Sequence, residues 1–347
     1  MLGPATVVDV MRMRRERFSL VTGATGFIGA HIVRALLGRG ERVRCLVRPS
    51  SSRSNITGLP VDVVTGDLID RDSLRRAMRG VDTLYHCAAD YRLWAREPRE
   101  IYATNVEGTQ NILDAARDAG VRRIVYTSSV ATIGLDPDGG AADERRIAGD
   151  DDLVGHYKKS KAEAERLVLS AAAAGLPAVI VNPSTPVGEL DVKPTPTGQI
   201  IVDFLCGKMP AYVDTGLNVI DVRDVAAGHL LAADHGTPGQ RYILGNSNLT
   251  LKELLDMLAR VSGLPAARLQ LPHWIPMTIG AACTAAAALT GRAPRVVLDA
   301  VRMSRHRMFF DASKAVEELG LPQHPIEDAL ARAVQWFRTK GYASAAA

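Results

Sequence analysis

The stretch Phe18-Ser19-Leu20-Val21-Thr22-Gly23-Ala24-Thr25-Gly26-Phe27-Ile28-Gly29 decides the fold. It joins a short apolar run, typical of a buried strand, to three spaced glycines and then to the amphipathic pattern of residues 28–37. Glycines at the end of a strand let backbone N–H groups and a helix N-terminus approach a pyrophosphate. The last glycine lets helix and strand pack closely. We therefore predict the first strand, loop and helix of a dinucleotide-binding fold.

Strand and helix patterns alternate from here to about residue 184. Apolar runs predict further strands at 43–47, 61–64, 83–87, 123–127 and 178–181. Helical periodicity fills the gaps at 72–79, 98–119 and 153–174. Short apolar strands separated by helices indicate a parallel sheet that is covered on both faces. The predicted fold class is α/β, a doubly wound parallel Rossmann-type sheet.

A chain of 347 residues is long enough for two lobes, because one domain commonly holds about 100–200 residues. After residue 184 the pattern loosens into Pro- and Gly-rich loops and helices, but Val219–Val222 and Tyr242–Leu244 indicate a return to the sheet. The second lobe should be a smaller, mostly helical substrate-binding lobe. The predicted parts are a disordered leader at 1–17, a Rossmann domain at 18–184 and about 219–245, and a lobe at about 185–218 and 246–341. The leader is rich in arginine, which leaves a nucleic-acid arm as the alternative.

Charge and cysteine content exclude several classes of protein. The 42 Lys and Arg residues exceed the 38 Asp and Glu residues by only +4, too little to imply a nucleic-acid groove. The four cysteines have neither metal-ligand spacing nor the density of a secreted disulfide framework, so we expect no metal and a cytoplasmic location. The uncharged run 274–289 is shorter than the roughly 18 residues that a span needs. It predicts a buried helix and no transmembrane span, and peripheral membrane contact stays open.

The end of the second predicted strand bears on the choice of cofactor. A fold that prefers NAD usually offers an acidic residue there for the adenosine ribose. Here the chain reads Val47-Arg48-Pro49-Ser50-Ser51-Ser52-Arg53 instead. A guanidinium and hydroxyls suit a 2′-phosphate, so Arg48 and Ser51 favour NADP(H) over NAD(H). The alternative is an exposed basic loop.

Tyr157 and Lys161 are four residues apart on a predicted helix, so their side chains share one face. The hydroxyl-rich segment Thr127-Ser128-Ser129 leaves the carboxyl edge of a parallel strand, where open α/β sheets bind ligands. A neighbouring ammonium should lower the pKa of the tyrosine and make it a better acid–base group. A serine hydroxyl can hold the substrate oxygen while hydride moves to or from a nicotinamide.

Substrate contacts are predicted at two places. Tyr91, Arg92 and Trp94 follow the fourth strand at its carboxyl edge, where an ordered aromatic loop is the alternative. The basic stretch 292–307 fits an anionic sugar substrate or, equally, a solvated or dimer-facing helix. His86 and His156 lack carboxylates at metal-ligand spacing, so we interpret both as structural.

Together these motifs resemble the extended short-chain dehydrogenase/reductase family. They are Thr22–Gly29, Asp67-Leu68, His86–Ala89, Asn105–Thr109, Thr127–Ser129, Tyr157/Lys161 and Asn182-Pro183. The segments 89–95, 181–186 and 193–198 are more narrowly similar to hopanoid-associated sugar epimerases, which are related to dihydroflavonol 4-reductases. The resemblance covers the chain from about residue 18 to the C-terminus.

The resemblance implies roles for particular residues. It implies a triad of Ser129, Tyr157 and Lys161, with Ser128 as the alternative serine, Asn105 in support and Ser129 also touching substrate. It implies a cofactor site formed by Gly23, Thr25, Gly26, Phe27, Ile28, Gly29, Asp67, Leu68, Ala88, Ala89, Thr127, Tyr157, Lys161, Pro183, Ser184 and Thr185. It also implies a homodimer formed through helices 98–119 and 153–174.

Two departures from the family pattern shape the expected function. Arg48 stands where sugar-nucleotide epimerases usually carry an acid, which favours an exchanging NADP(H) and a reductase. Val130-Ala131 stands where family dehydratases place an Asp-Glu pair, which disfavours dehydration. We expect an NAD(P)-dependent oxidoreductase that acts at a secondary alcohol or ketone of a sugar-like or hopanoid-linked substrate. A sugar epimerase is the alternative. A non-catalytic NADP-sensing protein is a third reading, which the intact triad disfavours.

Overall fold

The computed structural model describes residues 17–290, 294 and 298–343. The predicted leader at 1–17 lies outside them except for Arg17. The strands are β1 (Phe18–Thr22), β2 (Arg42–Val47), β3 (Asp62–Thr65), β4 (Thr83–His86), β5 (Arg123–Thr127), β6 (Ala178–Pro183), β7 (Thr185–Val187), β8 (Ala211–Val213), β9 (Gly216–Asp221), β10 (Arg241–Leu244), β11 (Ser247–Thr250), β12 (Leu269–Leu271) and β13 (Arg307–Met308).

The helices are α1 (Phe27–Gly38), α2 (Arg71–Met78), α3 (Arg99–Tyr102), α4 (Gly108–Asp118), α5 (Gly155–Ala173), α6 (Pro196–Leu205), α7 (Val222–His235), α8 (Leu251–Ser262), α9 (Trp274–Thr290), α10 (Leu298–Met303) and α11 (Ile326–Thr339). A π-helical segment, Ala103–Glu107, joins α3 to α4, so the predicted helix at 98–119 is one helix with a widened turn. A second π-helical segment (Ala315–Leu319) and a 3₁₀ turn (Val130–Thr132) complete the helical elements.

Seven parallel strands form the central sheet in the order β3-β2-β1-β4-β5-β6-β10. The order reverses beside β1, so the glycine loop after β1 lies at the switch point where such sheets bind ligands. Leu20 packs with α2, α4 and α5 on one face, and Val21 packs with α1 and α7 on the other. Both faces of the sheet are therefore buried, which explains the apolar runs and confirms the α/β Rossmann-type fold class.

The remaining strands form two small sheets beside a separate apolar cluster. β9 pairs with β7, β11 and β13, and β8 pairs with β12. The cluster combines residues of α6, α8 and α11, with Leu255 and Phe337 at its centre. The prediction that Val219–Val222 returns to the central sheet is wrong, because only β10 does. A short apolar run shows that a strand is buried but does not show which strands it pairs with.

α9 also differs from its prediction. The sequence predicts a buried helix there, but the side chain of Trp274 is 66% exposed and that of Ile279 is 48% exposed. One face of α9 packs on α10 near Gly280, and the opposite face has no cover among the described residues. Within the described part of the chain, no helix is both long enough and apolar enough to cross a bilayer.

Candidate active site

The glycine loop is shaped by contacts that admit no side chain. Gly23 has a φ of 68°, and a Cβ there would lie 2.8 Å from the backbone nitrogen of Ala88. A Cβ on Gly29 would lie 2.2 Å from the carbonyl oxygen of Gly23. Gly26 precedes α1 without a side-chain cap, so the first N–H groups of α1 are left to bind an anion. The loop therefore fits the pyrophosphate of a dinucleotide.

A buried hydrogen-bond chain holds the ends of β1 and β4 together. The hydroxyl oxygen of Thr22 accepts from the backbone N–H groups of Cys87 and Ala88, both at 3.1 Å. Thr22 therefore donates its proton to Nδ1 of His86, at 2.8 Å, and Nε2 of His86 donates to Thr109. Burial and nearby Lys161 lower the pKa of His86 to about 3, so this ring is neutral. His86 is structural in this arrangement.

Asn55 is a buried residue that no sequence motif identifies. Its side-chain amide donates to the carbonyl oxygens of Thr25, at 3.2 Å, and Leu190, at 3.0 Å. Asn55 therefore fixes the glycine loop against a loop that follows β7. Nothing in its sequence neighbourhood signals this role, because both contacts are distant along the chain.

The end of β2 presents an exposed cation and no acid. The Arg48 side chain is exposed, and among the described residues it has no ion-pair partner. Ser51 closes a turn there, with its N–H donating to the Arg48 carbonyl oxygen at 3.0 Å. Glu41 lies at the leading end of β2, where it accepts a hydrogen bond from Ser19. The geometry leaves Arg48 beside the glycine loop and available to a phosphate.

Tyr157 and Lys161 lie on one face of α5 beneath the carboxyl edge of the sheet. The Lys161 ammonium is buried and donates to the Tyr126 hydroxyl at 2.9 Å and the Thr127 carbonyl oxygen at 2.8 Å. Burial lowers the pKa of Lys161 to about 8, although the charge of Glu165 opposes the shift. The lysine is thus anchored to the end of β5. A group that positions a ligand at this edge would be held in the same way.

The pKa of Tyr157 departs from the prediction. Burial raises the pKa of this phenol above its ordinary value, and a hydrogen bond from Ser129 opposes the rise only in part. The expectation that Lys161 lowers the pKa of Tyr157 is wrong for this structure, because the lysine is directed to Tyr126 and Thr127. Tyr157 is therefore protonated at neutral pH and suited to donate a proton.

Ser129 is held from behind by a buried polar cluster of Thr132, Glu165, Asn182 and Arg241, named here the Glu165 cluster. The Asn182 side-chain amide donates to the Ser129 carbonyl oxygen at 3.0 Å and to Glu165 at 2.8 Å. Thr132 donates to the same carbonyl oxygen at 2.8 Å and lies 2.9 Å from Glu165. Arg241 pairs with Glu165 at 3.2 Å, and both side chains are largely buried. The cluster fixes the turn that presents the Ser129 hydroxyl.

Asn105 lies in the π-helical segment and joins three parts of the site. Its side chain accepts from the Asp90 N–H at 2.7 Å and donates to the Asp90 carbonyl oxygen and to Ser160, both at 2.9 Å. Ser160 precedes Lys161 on α5, so Asn105 ties that helix to the segment after β4. π-Helical turns of this kind occur frequently at functional sites. In this geometry Asn105 positions other groups.

The remaining predicted cofactor residues lie around the same sheet edge. Asp67 and Leu68 follow β3, where Leu68 accepts a hydrogen bond from Asn111 at 3.0 Å. Ala88 and Ala89 follow β4, and Pro183, Ser184 and Thr185 connect β6 to β7. The hydroxyls of Ser128 and Ser184 are buried without a partner among the described residues, so both have hydrogen bonds left to make. Thr127 is different, since its hydroxyl bonds to His229 at 2.8 Å and only its carbonyl oxygen reaches Lys161.

The predicted substrate residues occupy the loop after β4. Tyr91 is exposed, and its hydroxyl donates to the Lys193 carbonyl oxygen at 3.2 Å. Arg92 pairs with Asp90 and Glu100, so its charge is already matched within the chain, and Trp94 is half-buried. Of the basic stretch 292–307, Arg292 and Arg295 lie outside the described residues. The substrate roles of these residues stay predictions.

A bound metal ion commonly needs four or more metal-binding side chains. Among the described residues, no group of even three His, Cys, Asp or Glu side chains is placed to hold one. The site instead combines a glycine loop that fits a pyrophosphate, a protonated phenol, a buried ammonium and a fixed serine. Such a set of groups suits a nicotinamide-dependent site.

Comparison with known proteins agrees with this geometry. The NAD dependent epimerase/dehydratase family matches residues 19–245. A protein of Synechocystis sp., provisionally named dihydroflavonol 4-reductase, is 53% identical over 93% of this chain and 95% of its own length. Sterol demethylase protein B of Methylococcus capsulatus is 38% identical over 93% of this chain and 99% of its own length.

A solved structure extends the comparison to three dimensions. A nucleoside-diphosphate-sugar epimerase from Pseudomonas aeruginosa is 30% identical, with a TM-score of 0.76 over 94% of this chain and 99% of that one. The family match spans well over half of the chain, and the relatives align along nearly all of it. The chain therefore belongs to the NAD-dependent epimerase/dehydratase family.

Proposed function

We propose that this protein is an NADP(H)-preferring oxidoreductase that interconverts a ketone and a secondary alcohol on a sugar-like or lipid-linked substrate. The observation that carries the proposal is the convergence of Ser129, protonated Tyr157 and buried Lys161 at the sheet edge beside the glycine loop. The relative named as a dihydroflavonol 4-reductase supports the reaction class. The relative named for a sterol demethylase supports a lipid substrate, and a hopanoid-linked one is our specific proposal.

In this proposal each site residue has its own role. The glycine loop binds the pyrophosphate, and Arg48 pairs with a 2′-phosphate. When bound, the nicotinamide cofactor supplies hydride to the substrate carbon or accepts it. Ser129 donates a hydrogen bond to the substrate oxygen, and Tyr157 transfers its phenolic proton to that oxygen during reduction. The Lys161 ammonium, held by Tyr126 and Thr127, positions the cofactor beside Tyr157.

Tyr157 is protonated at neutral pH, so it can donate its proton during reduction. Reduction consumes one NADPH for each ketone converted. The test mixes the purified protein with NADPH and a series of cyclic and sugar-derived ketones and follows the absorbance of NADPH. Stoichiometric oxidation of NADPH supports the proposal, and binding of NADPH without turnover on any ketone would contradict it.

An epimerase is the second candidate, and the structural similarity to a nucleoside-diphosphate-sugar epimerase favours it. An epimerase oxidises and then reduces the same carbon, so it shows no net change in cofactor. Mass analysis of the cofactor that copurifies separates the two. Tightly held NAD supports the epimerase, and an empty or NADP-exchanging site supports the reductase.

Arg48 is the test of cofactor preference. Arg48→Ala should lower the ratio of NADPH to NADH use by about tenfold or more, because a charge-assisted pair with the 2′-phosphate is lost. Arg53→Ala, in the same exposed loop, is the matched control. An unchanged ratio in Arg48→Ala would show that the arginine plays no part in the preference.

A cytoplasmic location and a homodimer through α3–α4 and α5 also stay proposals. Sedimentation velocity would test the homodimer.

A further inference from the structure

α9 differs from the other long helices because it carries no charge. Residues 269–291 contain no Asp, Glu, Lys or Arg. One side of α9 packs on α10: a Cβ on Gly280 would lie 3.4 Å from Leu298 and Val301, and Ala287 is buried nearby. That contact accounts for only one face of the helix.

The opposite face of α9 is uncharged, largely apolar and exposed. We name Trp274, Ile279, Ala282 and Ala286 the α9 face; Leu269, on β12, precedes the helix in the chain. The exposed fractions are 59% for Leu269, 66% for Trp274 and 48% for Ile279. A helix that is apolar all round is ordinarily buried in a core or spans a membrane, and α9 does neither within the described residues. An exposed apolar patch of this kind indicates a partner.

The charge around the α9 face indicates which partner. Residues 268–307 contain six arginines and one aspartate, a formal charge of +5, whereas the whole chain carries +4. The rest of the chain therefore carries a formal charge of −1. Arg302 pairs with Asp299 and Arg307 with Asp214, whereas Arg268 and Arg305 are exposed and neither has an ion-pair partner in the described ranges. Arg292 and Arg295 lie outside the described residues and count here by sequence alone.

We propose that the α9 face docks on the surface of an anionic lipid bilayer. Apolar side chains led by Trp274 would enter the interfacial layer, where tryptophan is favoured, and the flanking arginines would meet anionic headgroups. A second copy of the chain fits less well, because two surfaces of the same positive sign repel each other.

The covered side of α9 is linked to the candidate active site through α10. α10 contacts α9 on one side, and its Asp299 carboxylate lies 2.9 Å from the position of a Cβ on Gly155. Gly155 begins α5, two residues before Tyr157. Docking on the α9 face would therefore leave α10 and the N-terminus of α5 on the side of α9 that is turned away from the bilayer. Docking itself does not depend on the proposed reaction.

Vesicle cosedimentation tests the proposal. The full chain is mixed, without substrate or cofactor, with vesicles of phosphatidylcholine alone or of phosphatidylcholine with phosphatidylglycerol. We expect binding to the anionic vesicles that is about tenfold or more stronger than to the neutral ones and that weakens with added salt. Tryptophan fluorescence should shift to the blue on binding. Failure to sediment with anionic vesicles at low salt overturns the proposal.

Variants assign the binding to the α9 face. The double variant Trp274→Glu/Ile279→Glu should weaken vesicle binding about tenfold or more, because two apolar contacts become charges of the headgroups' own sign. Ile147→Glu is the matched control, since Ile147 is 82% exposed and lies outside this face. Ala282→Glu serves as a second variant if the double variant does not fold. Equal binding by the variants and the control contradicts the proposal, and so does a dimer that the variants dissociate in the absence of lipid.

Discussion

Two helices of similar length depart from the ordinary distribution of polar and apolar residues in opposite directions. α5 has 19 residues and buries Lys158, Lys161 and Glu165. α9 has 17 residues, carries no charge and exposes Trp274 and Ile279. Buried charge and exposed apolar surface are the two informative exceptions to the rule that apolar residues lie inside.

The difference shows where each helix finds its partners. Each buried charge of α5 is matched inside the protein: Lys158 by the Asp152 carbonyl oxygen, Lys161 by Tyr126 and Thr127, and Glu165 by Arg241. The exposed apolar residues of α9 have no such match among the described residues. This contrast agrees with the proposals that α5 supplies groups for chemistry within the fold and that α9 contacts a partner outside it.

The largest expected effect concerns the chemistry of α5. Tyr157→Phe keeps the ring and removes the transferable proton, so kcat should fall by about 10²–10⁴. The affinity for NADPH should change little, because the pyrophosphate and 2′-phosphate contacts lie elsewhere. Steady-state kinetics and a fluorescence titration with NADPH measure the two quantities. Turnover at the native rate would exclude Tyr157 as the proton donor.

Glu165→Gln tests whether the buried charges of α5 depend on their internal partners. The variant leaves Arg241 buried without its carboxylate, which should cost roughly 3–5 kcal/mol of unfolding free energy. Urea unfolding measures the loss. Glu163→Gln is the control, because Glu163 is exposed on the same helix. Equal stability of the two variants would show that the Glu165 cluster contributes little to the fold.

The pH dependence of turnover tests the role of the buried Lys161 charge on α5. Lys161 has a pKa of about 8, so its cationic form is present below that pH and is lost as the pH rises through it. The rate of reduction, kcat/KM, should therefore fall about tenfold per pH unit above this value.

Glu165→Gln should also move the falling limb of that profile. The charge of Glu165 raises the pKa of Lys161, so its removal lowers that pKa further and shifts the limb to lower pH. Glu163→Gln should leave the limb in place. A limb that stays fixed in Glu165→Gln would assign the titration to another group.

The fold could be predicted from sequence where the signal is local. The stretch 18–29 contains the strand, the loop and the helix that it predicts, and Gly29 meets only backbone of that stretch, whereas Gly23 meets the distant Cys87 and Ala88. The spacing of Tyr157 and Lys161 is also a local signal, because residues four apart on a helix lie on the same face. The strand end predicts a hydroxyl-rich segment at 127–129, and the family resemblance selects Ser129 within it.

The parts that could not be predicted depend on contacts between distant segments. Asn55 reaches Thr25 and Leu190, and Glu165 meets Asn182 and Arg241, with no sequence pattern at either place. The direction of the Tyr157 pKa was also missed, because helical spacing gives a shared face but not the depth of burial.

The smallest expected effect lies on α9, where one substitution made in both helices compares them directly. Ala164 is fully buried on α5, whereas Ala282 is exposed on α9. Ala282→Lys should change the unfolding free energy by no more than about 0.5 kcal/mol, since it adds a solvated charge to a helix surface. Ala164→Lys should prevent stable folding, because it places an unpaired charge in the core. Urea unfolding of both variants measures the contrast. A loss above about 1 kcal/mol in Ala282→Lys would mean that the folded chain itself covers the α9 face, and the apolar surface would then need no outside partner.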